Sequence, residues 1–122
     1  QVYESQWAMA ATALRESFEE LGLFLGTDAQ GKALCADHIQ QLQRHQPLWP
    51  QLKARAWQAS LSSLKLLCHW MTDRDLPVRF DVPFLAAPAP SDQTPSPDGQ
   101  EQLNCLWLNP KVALQKHPQR QR

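Results

Sequence analysis

In Arg15-Glu16-Ser17-Phe18-Glu19-Glu20-Leu21-Gly22-Leu23 an apolar stripe and an acidic face run side by side. From about Ser5 to Leu21 the chain has no Gly or Pro, and Ala10, Leu14, Phe18 and Leu21 recur at helical spacing. Gly22 stands where a helix C-cap glycine belongs. At 100 degrees per residue, Glu16, Glu19 and Glu20 fall within roughly a 100-degree arc opposite the apolar stripe. Like charges at i, i+4 cost a helix about 0.2 to 0.5 kcal/mol per pair, and only Arg15, one turn before Glu19, offsets them. Two readings follow. One is a solvated acidic face; the other is a face that binds a hard divalent cation, whose preferred ligands are carboxylate oxygens.

Outward from this helix, the chain of 122 residues has the length of one domain and can bury a core. Hydrophobic residues at 43% and charged residues at 20% exclude a disordered or fibrous class. Twelve basic residues balance twelve acidic ones, so no overall field draws the chain to nucleic acid or anionic lipid. Cys35, Cys68 and Cys105 are odd in number and lack CxxC spacing, which argues against a disulfide framework or zinc site and for a reducing, intracellular setting. Peroxisome, mitochondrion and cytoplasm are not separated by the sequence. No apolar run approaches the ~18 to 20 residues of a membrane span. Nothing fixes the oligomeric state.

Leu23-Phe24-Leu25-Gly26 reads as a short buried strand. A helical zone over Lys32 to His45 follows, then a third helix after Pro47 and Pro50 carrying Leu52, Ala56, Ala59 and Leu61. Residues 32–62 thus read as a helical insertion. Leu64 to Met71 is apolar, and Val78-Arg79-Phe80-Asp81-Val82 alternates with strand periodicity. Phe84 to Ala87 continues as a strand in which Pro83 implies an edge, a bulge or a break. Residues 88–100 form a Pro/Ser/Asp loop expected to be flexible. Glu101 to Leu108 reads as a strand, and Asn109-Pro110 opens a short helix with proline in its first turn.

Arg-Glu-x-x-Glu-Glu-x-Gly, matched at Arg15, Glu16, Glu19, Glu20 and Gly22 and followed by Leu23, resembles the second half of the Nudix box. The resemblance implies that Glu16, Glu19 and Glu20 bind Mg2+ or Mn2+, that one carboxylate (Glu16) can instead serve as base, and that Arg15 orients them by an ion pair. The first half of the box does not match. Its spacing would put a glutamate at Trp7 and a glycine at Gln1, as expected if an insertion separates the halves and the chain is truncated at both ends. Ala13 to Leu23, His69-Trp70-Met71-Thr72, Val78 to Ala86, Glu101 and Trp107 to Leu114 resemble, in order, the coenzyme A and acyl-CoA diphosphatase subgroup. Asp73 stands where that subgroup continues into proline, and Val78 replaces an arginine.

The fold class so implied is α/β (α+β): an incomplete Nudix α/β/α sandwich with a mixed sheet and a helical insertion after the catalytic helix, in one partial domain. The activity implied is metal-dependent cleavage of a diphosphate linkage in CoA or acyl-CoA, giving 4'-phosphopantetheine or its acyl form and adenosine 3',5'-bisphosphate. The small-molecule partner could equally be another nucleoside diphosphate derivative, and a degenerate, non-catalytic Nudix module is the third reading. Arg79 is a candidate for a substrate phosphate, aligned by Asp81, or else half of a structural ion pair. Glu101 is a candidate additional metal ligand or base, or else an exposed loop glutamate. Trp70, Phe80 and Trp107 offer stacking surfaces, although such aromatics more often fill a core. His38, His45, His69 and His117 show no metal-ligand spacing.

Overall fold

The structure, a computed structural model, describes residues 4–71, 75, 77 and 81–116. A 3-10 turn at Glu4–Gln6 leads into helix α1, Trp7–Leu21, which starts two residues later than expected and buries Ala10, Leu14 and Phe18 of the predicted stripe while Leu21 is half-buried. Gly22 ends it in the left-handed conformation (φ 71°), a region that a side chain enters at a cost of ~1 to 2 kcal/mol. Its N–H returns to the Phe18 carbonyl at 2.9 Å, the single bond of an αL cap, and the Leu23 N–H reaches the Ser17 carbonyl at 3.4 Å.

Past the cap the chain turns beneath its own helix, where the buried Phe24 ring meets Phe18 edge-on at 6.4 Å. The strand expected over Leu23–Gly26 is shorter and later. Strand β1 is Gly26–Thr27, paired antiparallel with β2, Gln58–Ala59. Phe24 makes no ladder because both its backbone groups bond instead to the side-chain amide of Gln93. Glycine is required at position 26, where a Cβ would lie 2.6 Å from the Phe24 ring and 2.7 Å from the Gln58 carbonyl.

The two helical zones are also trimmed. Helix α2 is Ala36–Gln40, and α3 is Leu48–Arg55. The expected continuation of α3 through Ala56, Ala59 and Leu61 fails at Ala56, which is left-handed (φ 58°) while the Trp57 N–H returns to the Leu52 carbonyl at 2.9 Å. Trp57 then docks edge-on against His38 at 5.1 Å, with the Arg55 guanidinium 5.5 Å above its ring. This docking turns Ala59 into β2 and Leu61 into a 3-10 turn, so tertiary contact overrides the helical spacing.

The buried core comprises Ala10, Leu14, Phe18, Phe24, Leu34, Leu42, Leu48, Leu52 and Leu64, all within the first 64 residues. Downstream lies an antiparallel ribbon, β3 (Lys65–Met71) with β4 (Asp81–Ala86), running in register from Lys65 opposite Ala86 to Met71 opposite Asp81. Leu67 is the extra residue of a bulge between the Leu66 and Cys68 pairings. Pro83 lies within β4 opposite His69, tolerated because β4 has a single partner strand among the described residues.

Trp70 and Trp107, expected to fill a core, are 66% and 72% exposed; Phe80 and His117 lie outside the described residues. The strand expected over Glu101–Leu108 is absent: the segment finds no pairing partner among the described residues, and its apolar side chains stay exposed. Helix α4, Pro110–Lys116, starts as predicted, with the Asn109 side chain accepting the Lys111 N–H at 2.9 Å. Among the described residues the architecture is α+β with two antiparallel strand pairs, and no helix is long and apolar enough to cross a membrane.

Candidate active site

The last turn of a helix leaves carbonyls without intrahelical partners, and at α1 they find them in the residues just past the helix and in two distant loops. Gly22 and Leu23 take Phe18 and Ser17. Arg44, from the loop between α2 and α3, donates through Nη2 and Nε to the Glu19 carbonyl at 3.0 and 3.3 Å. The Asp98 N–H takes Glu20 at 2.9 Å, and the Ser96 N–H takes Leu21 at 2.6 Å. The acidic end of α1 therefore gathers two loops that are far away in sequence.

Both loops are held by glutamine side chains imitating a backbone. The Gln51 amide accepts the Gln43 N–H at 2.8 Å and donates to the Gln43 carbonyl at 3.0 Å, which sets the turn carrying Arg44. The Gln93 amide accepts the Phe24 N–H and donates to the Phe24 and Leu34 carbonyls, at 2.9, 2.9 and 3.0 Å. Residues 88–100, expected to be flexible, are thus hydrogen-bonded to α1 and to the segment after it.

Between these walls lies a cleft of about 580 Å³ lined by Arg15, Glu16, Glu19 and Glu20 on one side, Arg44 on another, and Asp98 and Glu101 on a third. Arg15 grips both oxygens of Glu19 through Nη1 at 2.5 and 2.7 Å, and its Nη2 stands 3.9 Å from Glu16. Glu101 reaches Glu20. The hydrogen bond between these carboxyls, aided by partial burial and by the charges of Glu101 and Glu16, pushes the Glu20 carboxyl above the usual carboxylate range. The Asp98 carboxylate is drawn below its usual range by the N–H groups of Gln102 and Gln100, each at 2.9 Å.

The sequence-derived candidates divide by place. Arg15, Glu16, Glu19, Glu20 and Glu101 line one cleft. Asp81 does not join them: it lies on the exposed ribbon and bonds His69 Nδ1 at 2.8 Å. Arg79 lies outside the described residues. Arg44, Gln93 and Asp98 were missed because a polar residue in a loop carries no periodic signal, and their partners lie up to 78 positions away.

The donor chemistry fits a hard divalent cation: the carboxyls are oxygen ligands, and Glu20 and Glu101 crowd each other as a cation would relieve. Glu16, Glu19 and Glu20, with Glu101 beside them, are the carboxyls that could hold it, Glu19 oriented by Arg15. Among the described residues no three such groups converge closely enough to hold an ion as they stand.

No family model and no curated protein sequence matches the chain. Its structure is similar to the crystal structure of a Nudix hydrolase from Alicyclobacillus acidocaldarius, with TM-score 0.79 and 26% sequence identity. The similarity covers 98% of this chain and 56% of that one, so the chain spans little over half of the solved protein's length. With Arg15, Glu16, Glu19 and Glu20 of α1 lining one side of its cleft, the chain has the fold of the matched part of that Nudix hydrolase.

Proposed function

We propose that the chain forms the catalytic-helix half of a metal-dependent Nudix hydrolase that cleaves a diphosphate linkage, in coenzyme A or acyl-CoA. The observation that carries the hydrolase reading is the meeting of Glu101 with Glu20 beside the Arg15-braced carboxylates in one cleft. The CoA assignment rests on the resemblance of Ala13 to Leu23 and the later segments to the CoA diphosphatase subgroup.

A bound divalent cation would neutralise diphosphate oxygens and acidify the attacking water. The chain's own part is positional. Arg15 orients Glu19 beside Glu16, Glu20 and Glu101 in the cleft. Glu16, in place of binding the cation, would accept the proton that water loses as its oxygen bonds to phosphorus and the bridging P–O bond breaks. Arg44 lines the cleft at the end of α1 and would bring positive charge to phosphate oxygens there. Removing a single group acting on the transition state in this way typically costs 10²- to 10⁴-fold.

The test is a panel of CoA, acyl-CoA, dinucleotides and nucleotide sugars with Mg2+ or Mn2+, products separated chromatographically. The expected result is 4'-phosphopantetheine, or its acyl form, and adenosine 3',5'-bisphosphate. Glu20→Gln should lower turnover at least ~100-fold while leaving the fold intact. Turnover of another nucleoside diphosphate derivative alone would move the substrate. Turnover unchanged in Glu20→Gln would remove Glu20 from the machinery, and none by the unaltered chain with any substrate would overturn the enzymatic reading in favour of a binding module.

A further inference from the structure

Glu101 reaches Glu20 only because the segment before it is seated on α1. No helix or strand carries Glu101, and residues 87–109 contain no regular element. Its position follows from a series of bonds. Gln93 fastens the segment to Phe24 and Leu34 with three hydrogen bonds from one amide, the densest attachment it has. The Ser96 and Asp98 N–H groups then close the helix carbonyls of Leu21 and Glu20. Beyond them the Asp98 carboxylate gathers the Gln100 and Gln102 N–H groups, while the Gly99 N–H bonds the Gln102 carbonyl at 2.9 Å. Gly99 is left-handed (φ 81°), so the turn is tight and reverses the chain toward the cleft. Glu101 sits inside that turn.

We propose that Gln93 is a positioning residue of the cleft: its amide clamp seats residues 93–102 on the end of α1, and the Asp98 turn then presents Glu101 to Glu20. The inference rests on the metal-site reading above, because it assigns the clamp a purpose in forming that site. Gln93 itself does not line the cleft and would act through Glu101. An amide is needed for this: one acceptor and two donors from a single planar group match one N–H and two carbonyls, which a hydroxyl or a carboxylate does not.

The full chain and its Gln93→Met variant, similar in volume but without the clamp, are compared by amide hydrogen exchange and by Mn2+ binding. Loss of protection at Ser96 and Asp98, with protection retained at Gly22, is expected. Mn2+ affinity should fall about tenfold, as for other groups that orient a ligand. In a Glu101→Gln background, Gln93→Met should have no further effect on Mn2+ affinity, a non-additivity that general loosening would not produce. Should Gln93→Met fail to fold, Asp98→Ala opens the exposed turn and should weaken Mn2+ binding, while Asp98→Asn, which keeps the acceptor oxygen, should restore it.

Undocking of the segment with Mn2+ affinity unchanged, or equal effects of Gln93→Met with and without Glu101, would overturn the role while leaving the metal site standing. Loss of binding in Asp98→Asn as large as in Asp98→Ala would make Asp98 a direct ligand and overturn the turn's part in it. No Mn2+ binding by the unaltered chain would overturn the metal-site reading and this role together.

Discussion

The Pro-rich segment of residues 88–102 and the β3–β4 ribbon differ in a way opposite to their compositions. The segment is polar and broken by prolines, yet Gln93, Ser96 and Asp98 fasten it to α1 and to the chain beneath it. The ribbon is rich in apolar side chains, yet Leu67, Trp70, Met71 and Phe84 are exposed. The difference teaches that attachment depends on reachable partners. Helix carbonyls and a bent backbone offer polar partners to the segment, whereas a two-stranded ribbon has two faces and here only Leu85 packs partly against the core.

The sharpest way to break this comparison is at Phe18, which is fully buried beneath the end of α1 where the segment docks. Phe18→Ala should cost about 3 to 5 kcal/mol by urea unfolding. Next comes Gly26→Ala, which forces a methyl against the Phe24 ring and the Gln58 carbonyl and should cost about 1 to 3 kcal/mol. A near-neutral outcome would mean that β1 and β2 move apart freely.

A smaller, pH-dependent effect belongs to Glu20. Because its folded-state proton affinity is raised by Glu101, the folded chain binds that proton more tightly than the unfolded chain. Stability is therefore unaffected well below the ordinary glutamate range and falls as pH rises through that range toward the raised value. Glu101→Gln should raise the melting temperature at neutral pH in chelator and leave it unchanged at low pH. Parallel curves at every pH would separate Glu101 from Glu20. The smallest effect is expected on the ribbon: Trp70→Ala should change stability by less than about 0.5 kcal/mol, and a cost approaching that of Phe18 would place the ribbon in the core.

The sequence by itself determined the helix of Trp7–Leu21, its glycine cap, its buried stripe, the shared face of Glu16, Glu19 and Glu20, and the proline-led start of α4. These are local properties: spacing on a helix and the backbone freedom of single residues act within a few positions. The tertiary structure alone decided that Phe24 bonds a glutamine rather than a strand, that α3 stops at Ala56, that Glu101 lies in a turn and meets Glu20, and that Arg44 closes the helix end. Each depends on a partner distant in the chain, and hydrogen-bonding capacity in a loop has no period from which that partner could be read.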